Sequence, residues 1–227
     1  MRLLIIIPAY NEAKTIKKVI QSIPAKIKGM AKYSVLVVDD GSRDNTRKEA
    51  ISAGATVVSH LINRGLGGAL GTAFEYARRT NYDVMVTLDG DGQHDPKEIE
   101  KLIIALTNAR ANVCIGSRMM DSRGMPWYRV IGNYGLNVIT LILFGIWTTD
   151  SQSGFRAFSF SAIRKIEVRT DKMEVSSEIF SEISRHKLSY VEVPIKAIYS
   201  RYSLGKGQRN SNAFSIIFKL ILKKIAS

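Results

Sequence analysis

Short continuous apolar runs alternate with stretches of helical spacing through the first half of the chain. Leu3 to Pro8 reads as a buried strand, Thr15 to Ile23 as a helix, and Tyr33 to Asp39 as a second strand. A second helix is expected over Asp44 to Ala53 and a third strand over Ala55 to Ser59. The glycine-rich Asn63-Arg64-Gly65-Leu66-Gly67-Gly68 then leads into a helix running to about Arg79. Val84 to Leu88 is a fourth strand, Pro96 to Asn108 a helix with proline in its first turn, and Asn112 to Gly116 a fifth strand. Strands that are apolar throughout, joined by helices, predict an α/β fold with a mostly parallel central sheet flanked by helices on both faces. Ligands of such sheets sit at the carboxyl ends of the strands. Three polar clusters fall there: Pro8-Ala9-Tyr10-Asn11-Glu12, Asp39-Asp40-Gly41-Ser42 and Asp89-Gly90-Asp91-Gly92-Gln93-His94.

The second half is less regular. Val130 to Trp147 carries no charge but is interrupted by Gly132, Asn133, Gly135, Asn137 and Thr140. Asn133, Asn137 and Thr140 share one helical face. That polar face favours a helix lying against the domain or in a membrane surface over a spanning one. Phe214 to Ile225 is amphipathic, with Lys219, Lys223 and Lys224 beside Phe, Ile and Leu. The expected division is a catalytic domain over 1–210 and a basic amphipathic helix over 211–227 that anchors to a membrane surface.

The 227 residues suffice for one domain with a full core, and 45% hydrophobic content excludes a disordered body. The single cysteine, Cys114, lies in an apolar strand, which excludes a disulfide framework and a cysteine metal site. A net charge of +13 is concentrated late. No acidic residue follows Glu192, whereas Lys196, Arg201, Lys206, Arg209, Lys219, Lys223 and Lys224 do. Such a tail suits phosphates, anionic lipid or nucleic acid. Nucleic acid is not expected as a partner, because acidic strand ends repel phosphate unless a metal intervenes. The start lacks the small-residue cleavage site of a signal peptide, so a cytoplasmic, peripheral protein is expected.

The strongest chemical signal is Asp89-Gly90-Asp91. Two carboxylates one residue apart after a buried strand can reach one divalent cation, and Mg2+ or Mn2+ bound by such oxygens keeps positions open for substrate phosphates. Asp39, at the end of the second strand, can accept from a ribose hydroxyl or a base N–H. Asp44 is expected to cap the next helix.

Together these segments resemble the family 2 glycosyltransferases with the GT-A fold, which use nucleotide diphosphate sugars. Pro-Ala-Tyr-Asn-Glu, Val-Asp-Asp-Gly-Ser and Asp-Gly-Asp-Gly-Gln-His stand in the family's order over about the first 120 residues. Further likeness to the polyprenyl- and dolichyl-phosphate branch, that of the dolichol-phosphate mannose synthases, rests on four later segments. These are Gly116-Ser117-Arg118, Arg129 with Asn133, Asp150 to Arg156, and the basic stretch from Arg201 to Gln208. The resemblance implies Asp89, Asp91 and Gln93 near the metal, and Pro8, Tyr10, Glu12 and Asp39 near the nucleotide. It also implies Ser117, Arg118, Arg129, Asn133 and Arg201 around the acceptor phosphate, with Asp150 on a sugar hydroxyl or orienting Arg156. Gly92 stands where mannose-transferring members more often carry leucine. UDP-linked glucose or N-acetylglucosamine is therefore preferred to GDP-mannose as donor. The alternative is a family 2 enzyme acting on a glycan hydroxyl, for which Asp150 is the available base. The oligomeric state is left open.

Overall fold

The computed structural model describes residues 1–198. Seven strands form one sheet in the order β3-β2-β1-β4-β6-β5-β7. The strands are β1 (Arg2–Ala9), β2 (Lys32–Asp39), β3 (Thr56–Ser59), β4 (Val84–Thr87), β5 (Val113–Ser117), β6 (Arg156–Ser159) and β7 (Tyr190–Pro194). The helices are α1 (Ile16–Gln21), α2 (Thr46–Ser52), α3 (Leu66–Thr80), α4 (Ile99–Asn108), α5 (Trp127–Phe144), α6 (Phe160–Lys165) and α7 (Val175–Arg185), and a single 3₁₀ turn (Pro96–Glu98) precedes α4.

Alternate residues of each strand feed opposite faces, as the two-residue pleat requires. Leu3, Ile5 and Ile7 of β1 join Val37, Val86 and Cys114 under α1, α2 and α4. Leu4 and Ile6 join Leu36, Met85, Val113 and Phe158 under α3, α6 and α7. Both faces are covered, which is why the strands read as unbroken apolar runs. Cys114 is fully buried, and burial pushes its thiol up to about 12, as its place in an apolar strand predicts.

The α/β class and the five early strands agree with the sequence pattern. Four later elements are not among those expected from it: β6, α6, α7 and β7. The helix α7 carries Val175, Ile179, Phe180 and Ile183 on its buried face and buries Glu178 and Glu182 beside them. These carboxylates serve local backbone. Glu178 accepts from the Arg169 and Thr170 N–H groups, and Glu182 from that of Glu167.

Strand β6 decides the shape of the site. It runs antiparallel between β4 and β5, pairing Thr87 and Ile115 with Arg156. Every other pairing in the sheet is parallel. The carboxyl ends of the parallel strands therefore lie on one edge, and the loop leading into β6 starts on that same edge. After β7 the chain stays there: the Ile198 N–H donates to the Gln93 carbonyl at 2.9 Å, and Ala197 bridges to His94.

Candidate active site

The first two strand ends are stitched together by hydrogen bonds. The Asn11 N–H donates to Ser42 Oγ and the Arg43 N–H to Asn11 Oδ1, both at 2.9 Å. Asp39 is buried, with Oδ1 accepting from the Ser42 N–H at 3.1 Å and Oδ2 from the Ser59 hydroxyl at 3.2 Å. Each carboxylate oxygen has a second lone pair, so Asp39 retains capacity toward a ligand. Tyr10 stands 42% exposed at the rim. Glu12 is buried and accepts from the Thr15 hydroxyl, which also donates to the Gly90 carbonyl at 2.8 Å. Pro8 and Glu12 line the approach to Gly90, where a Cβ would stand 3.3 Å from the Pro8 carbonyl oxygen and 3.6 Å from Glu12 Cγ. Pro8, Glu12 and the Asp89–Asp91 turn therefore share one crevice. Asp44, expected to cap α2, stands one residue before its N-cap Asn45 and accepts from the N–H groups of Thr46 at 2.9 Å and Ala13 at 3.2 Å.

Asp40, which the sequence reading leaves without a role, is the hub of this half. It accepts from His60 Nδ1 at 2.7 Å and from the Arg64 and Gly65 N–H groups at 2.9 and 2.6 Å. His60 Nε2 meets the Thr72 hydroxyl at 2.8 Å. One carboxylate thus fixes the loop between β3 and α3. Its adjacency to Asp39 is the only signal in the sequence.

The Asp89-Gly90-Asp91 turn follows β4. Asp89 keeps 37% of its side-chain surface open to the cleft. Its other side rests on Gly154, where a Cβ would stand 2.5 Å from Asp89 Oδ1 and 2.8 Å from Oδ2. Asp91 accepts from the backbone N–H of Gln93 at 2.9 Å and from its side-chain amide at 2.5 Å. Gly92 adopts a φ of 76°, a left-handed conformation that strains a leucine. Burial lifts both carboxyls above their ordinary range; the charge of Asp89 raises Asp91 further, while Arg118 and Arg156 act on Asp89 in the opposite sense. Two crowded carboxylates form a donor set for a hard divalent cation. Among the described residues no three His, Cys, Asp or Glu side chains converge on one point. An ion held here would complete its shell with substrate oxygens and water, which is how Mg2+ is commonly bound beside phosphates.

His94 shapes this turn rather than reaching into it. It is buried, stacks on Phe155 with centroids 5.1 Å apart, and accepts from the Asp89 N–H at 3.3 Å. Burial pushes its pKa down to about 4, so the ring is neutral.

Arg118 leaves the end of β5 and is forked onto Asp150. Its Nε and Nη2 donate to the two carboxylate oxygens at 2.7 and 2.8 Å, and its backbone N–H adds a third bond at 3.0 Å. Asp150 is fully buried. Burial alone raises its carboxyl, but the Arg118 charge and hydrogen bonds prevail and hold it below the ordinary range. The structure thus buries Asp150 against Arg118. Ser117 is likewise buried, its hydroxyl 2.7 Å from that of Thr149. Arg129 and Asn133 lie half-buried in the first turns of α5, and the Asn133 amide faces the sulfurs of Met119 and Met125. Arg201 and the amphipathic 211–227 segment lie outside the described residues.

Three contributors to this half are absent from the sequence reading or named there without their role. Arg156, buried in β6, donates to the Ser151 carbonyl at 2.8 Å and lies over the Phe180 ring. Glu192 of β7 accepts from the Thr149 N–H at 2.9 Å and from the hydroxyls of Thr148 and Thr149. Asn137 of α5 bonds the same loop from the other side.

Comparison with known proteins agrees with this geometry. The family model for glycosyl transferase family 2 matches residues 4–167. The UDP-N-acetylglucosamine–dolichyl-phosphate N-acetylglucosaminyltransferase of Methanococcus voltae is 35% identical over 243 residues, covering 97% of this chain and 95% of that protein. The polyprenol monophosphomannose synthase of Mycolicibacterium smegmatis is 29% identical, covering 96% and 85% respectively. Among solved structures, glucosyl-3-phosphoglycerate synthase from Mycobacterium tuberculosis, crystallised with Mn2+ and UDP-glucose, superposes with a TM-score of 0.71 at 20% identity. The match covers 96% of this chain and 76% of that one, and it bears on the fold. Strand-end motifs, a GT-A sheet and full-length kinship together make this chain a glycosyltransferase that belongs to family 2, in its polyprenyl-phosphate branch.

Proposed function

We propose that this glycosyltransferase moves a hexose from a nucleoside diphosphate to a polyprenyl monophosphate at a membrane surface, with inversion at the anomeric carbon. The observation that carries the reading is the juxtaposition of an acidic pair with an arginine. The 150–154 loop meets Asp89 at Gly154 and Arg118 at Asp150, and the Arg118 charge acts on Asp89.

The donor's ribose or base meets Asp39 and Tyr10, while Pro8 and Glu12 shape the crevice toward Gly90. Asp89 and Asp91, with Gln93 beside them, would hold Mg2+ or Mn2+. That ion would neutralise the charge gathering on the departing diphosphate. The acceptor monophosphate has its second pKa near 6 and is largely dianionic at neutral pH. One of its oxygens attacks the anomeric carbon from the face opposite the diphosphate. The C–O bond to the diphosphate breaks, its electron pair leaves with that group, and no proton has to move. Arg118 holds the attacking phosphate, because a planar guanidinium pairs with phosphate oxygens and Asp150 fixes its orientation. Arg129, Asn133 and Arg201 complete the acceptor end in this proposal. The hydroxyl-acceptor alternative needs a free base, and Asp150 is a poor one: buried, forked to Arg118 and held in its ionised form.

A lipid acceptor implies contact with a bilayer. No described helix is long and apolar enough to cross one. Helix α5 exposes Trp127, Tyr128, Ile131, Tyr134 and Ile142, an apolar face with aromatic residues suited to an interface. The basic residues from Lys196 onward would add attraction to anionic lipid on the cytoplasmic face.

The test is a product-mass screen of UDP-glucose, UDP-N-acetylglucosamine and GDP-mannose against a short polyprenyl phosphate with Mn2+. UDP-glucose and UDP-N-acetylglucosamine are the preferred donors. Turnover should vanish in EDTA and in Asp91→Asn. Transfer that persists in EDTA, or that goes only to a glycan hydroxyl, would refute the proposal.

A further inference from the structure

We infer that Asn137 is a positioning residue for the acceptor arginine, acting through the two residues that flank Asp150. The inference deepens the proposed function and rests on its assignment of Arg118 to the acceptor phosphate.

Asn137 sits in the middle of α5 and is only 2% exposed. Its amide Nδ2 donates to the Thr149 carbonyl at 2.6 Å, and its Oδ1 accepts from the Ser151 N–H at 2.9 Å. One amide group therefore clamps the peptide units immediately before and after Asp150. The orientation of the amide is fixed by chemistry, because a carbonyl stands on one side of it and an N–H on the other. Asp150 itself makes no bond to α5; its carboxylate is committed to Arg118 through three bonds of 2.7 to 3.0 Å.

The loop needs this clamp. It carries Thr148, Asp150, Ser151 and Ser153 fully buried, and its backbone belongs to no strand or helix. Glu192 holds it from β7 through Thr148 and Thr149, and Arg156 holds the Ser151 carbonyl from β6. These two anchors grip the loop from the sheet, whereas Asn137 supplies the grip from α5. Losing it leaves a carbonyl and an N–H in a buried place on either side of the carboxylate that aims Arg118. The guanidinium then loses its fixed direction, though its charge remains. A leucine here would satisfy the packing of α5 at least as well, so a polar residue at this buried position is explained by the loop and not by the helix.

The experiment compares the parent with Asn137→Leu and Asn137→Asp. Asparagine to aspartate keeps an acceptor for the Ser151 N–H but sets an oxygen against the Thr149 carbonyl. This variant carries the test if the leucine one does not fold. Three quantities are measured: kcat and KM for a short polyprenyl phosphate with the parent's own donor, calorimetric binding of UDP and GDP in the presence of Mn2+, and slow hydrolysis of the nucleotide sugar without lipid. Displacing a reacting group by about 1 Å costs on the order of a hundredfold, so kcat/KM for the lipid phosphate should fall by about ten- to a hundredfold. Nucleotide binding and hydrolysis should stay near the parent's values. Acceptor kinetics that match the parent in both variants overturn the inference. So does a uniform loss of transfer, nucleotide binding and hydrolysis, which marks a purely structural residue. If the parent itself transfers to no polyprenyl phosphate, the proposed function fails first and the inference falls with it.

Discussion

Gly154→Ala tests the geometry of the acidic pair without touching either carboxylate. Thr87 of β4 donates its hydroxyl to the Gly154 carbonyl at 2.8 Å, so the Gly154 backbone cannot withdraw easily. The new Cβ would stand 2.5 and 2.8 Å from the oxygens of Asp89 and 3.0 Å from its Cγ. Non-bonded heavy atoms settle near 3.5 Å, so the Asp89 carboxylate must retreat by about 1 Å. Gly154 does not have a positive φ, so alanine brings no backbone strain of its own. Asp89 is partly open to the cleft and can step outward, which spares the fold. The cost falls on the site, because metal–oxygen distances tolerate only about 0.2 Å and a misplacement of 1 Å costs on the order of a hundredfold in rate. The assay is a Mn2+ titration of sugar transfer alongside thermal unfolding. The expected result is a weaker metal dependence constant, a turnover lower by about a hundredfold and a melting temperature close to the parent's. Parent-like activity at parent-like Mn2+ would show that Asp89 is not held to its place by Gly154.

Three further outcomes follow from the same network. Arg118→Lys keeps the charge but loses the fork on Asp150, so KM for the lipid phosphate should rise while donor binding stays unchanged; an unaltered acceptor KM refutes this. Asp40→Asn should raise the donor KM more than it lowers kcat, since Asp40 fixes the His60–Gly65 loop beside Asp39 and not the reacting bond; a donor KM that does not move removes the hub from the nucleotide site. The folded His94 titrates at about 4 against 6.5 for the ordinary side chain, so only the unfolded chain takes up its proton between those values. Stability therefore falls as pH drops through that window, by up to about 3 kcal/mol, and His94→Asn should flatten that slope in urea unfolding at matched pH values. Parallel pH profiles for parent and variant would refute the assignment.

The residues proposed to bind the donor were placed by the sequence at the ends of its strands. In a parallel α/β sheet, a strand is apolar along its length and its functional residues come immediately after it. Asp39, Asp89 and Asp91 are therefore local facts: the chemistry sits a few residues from the pattern that positions it. The acceptor half was legible only as isolated residues. Arg118 and Asp150 are 32 positions apart, and their fork exists because β6 enters the sheet antiparallel between β4 and β5. A strand that starts where its neighbours end delivers its leading loop to their carboxyl edge, and a pairing order of that kind leaves no periodic trace in the chain. The same cause brings Asp150, expected on a sugar hydroxyl or beside Arg156, against Arg118. It also gave Asn137 and Glu192, for which the sequence suggests no such role, their hold on the loop. Local pattern fixed which residues carry charge to the strand ends, and the order and direction of the strands decided which of those residues face one another.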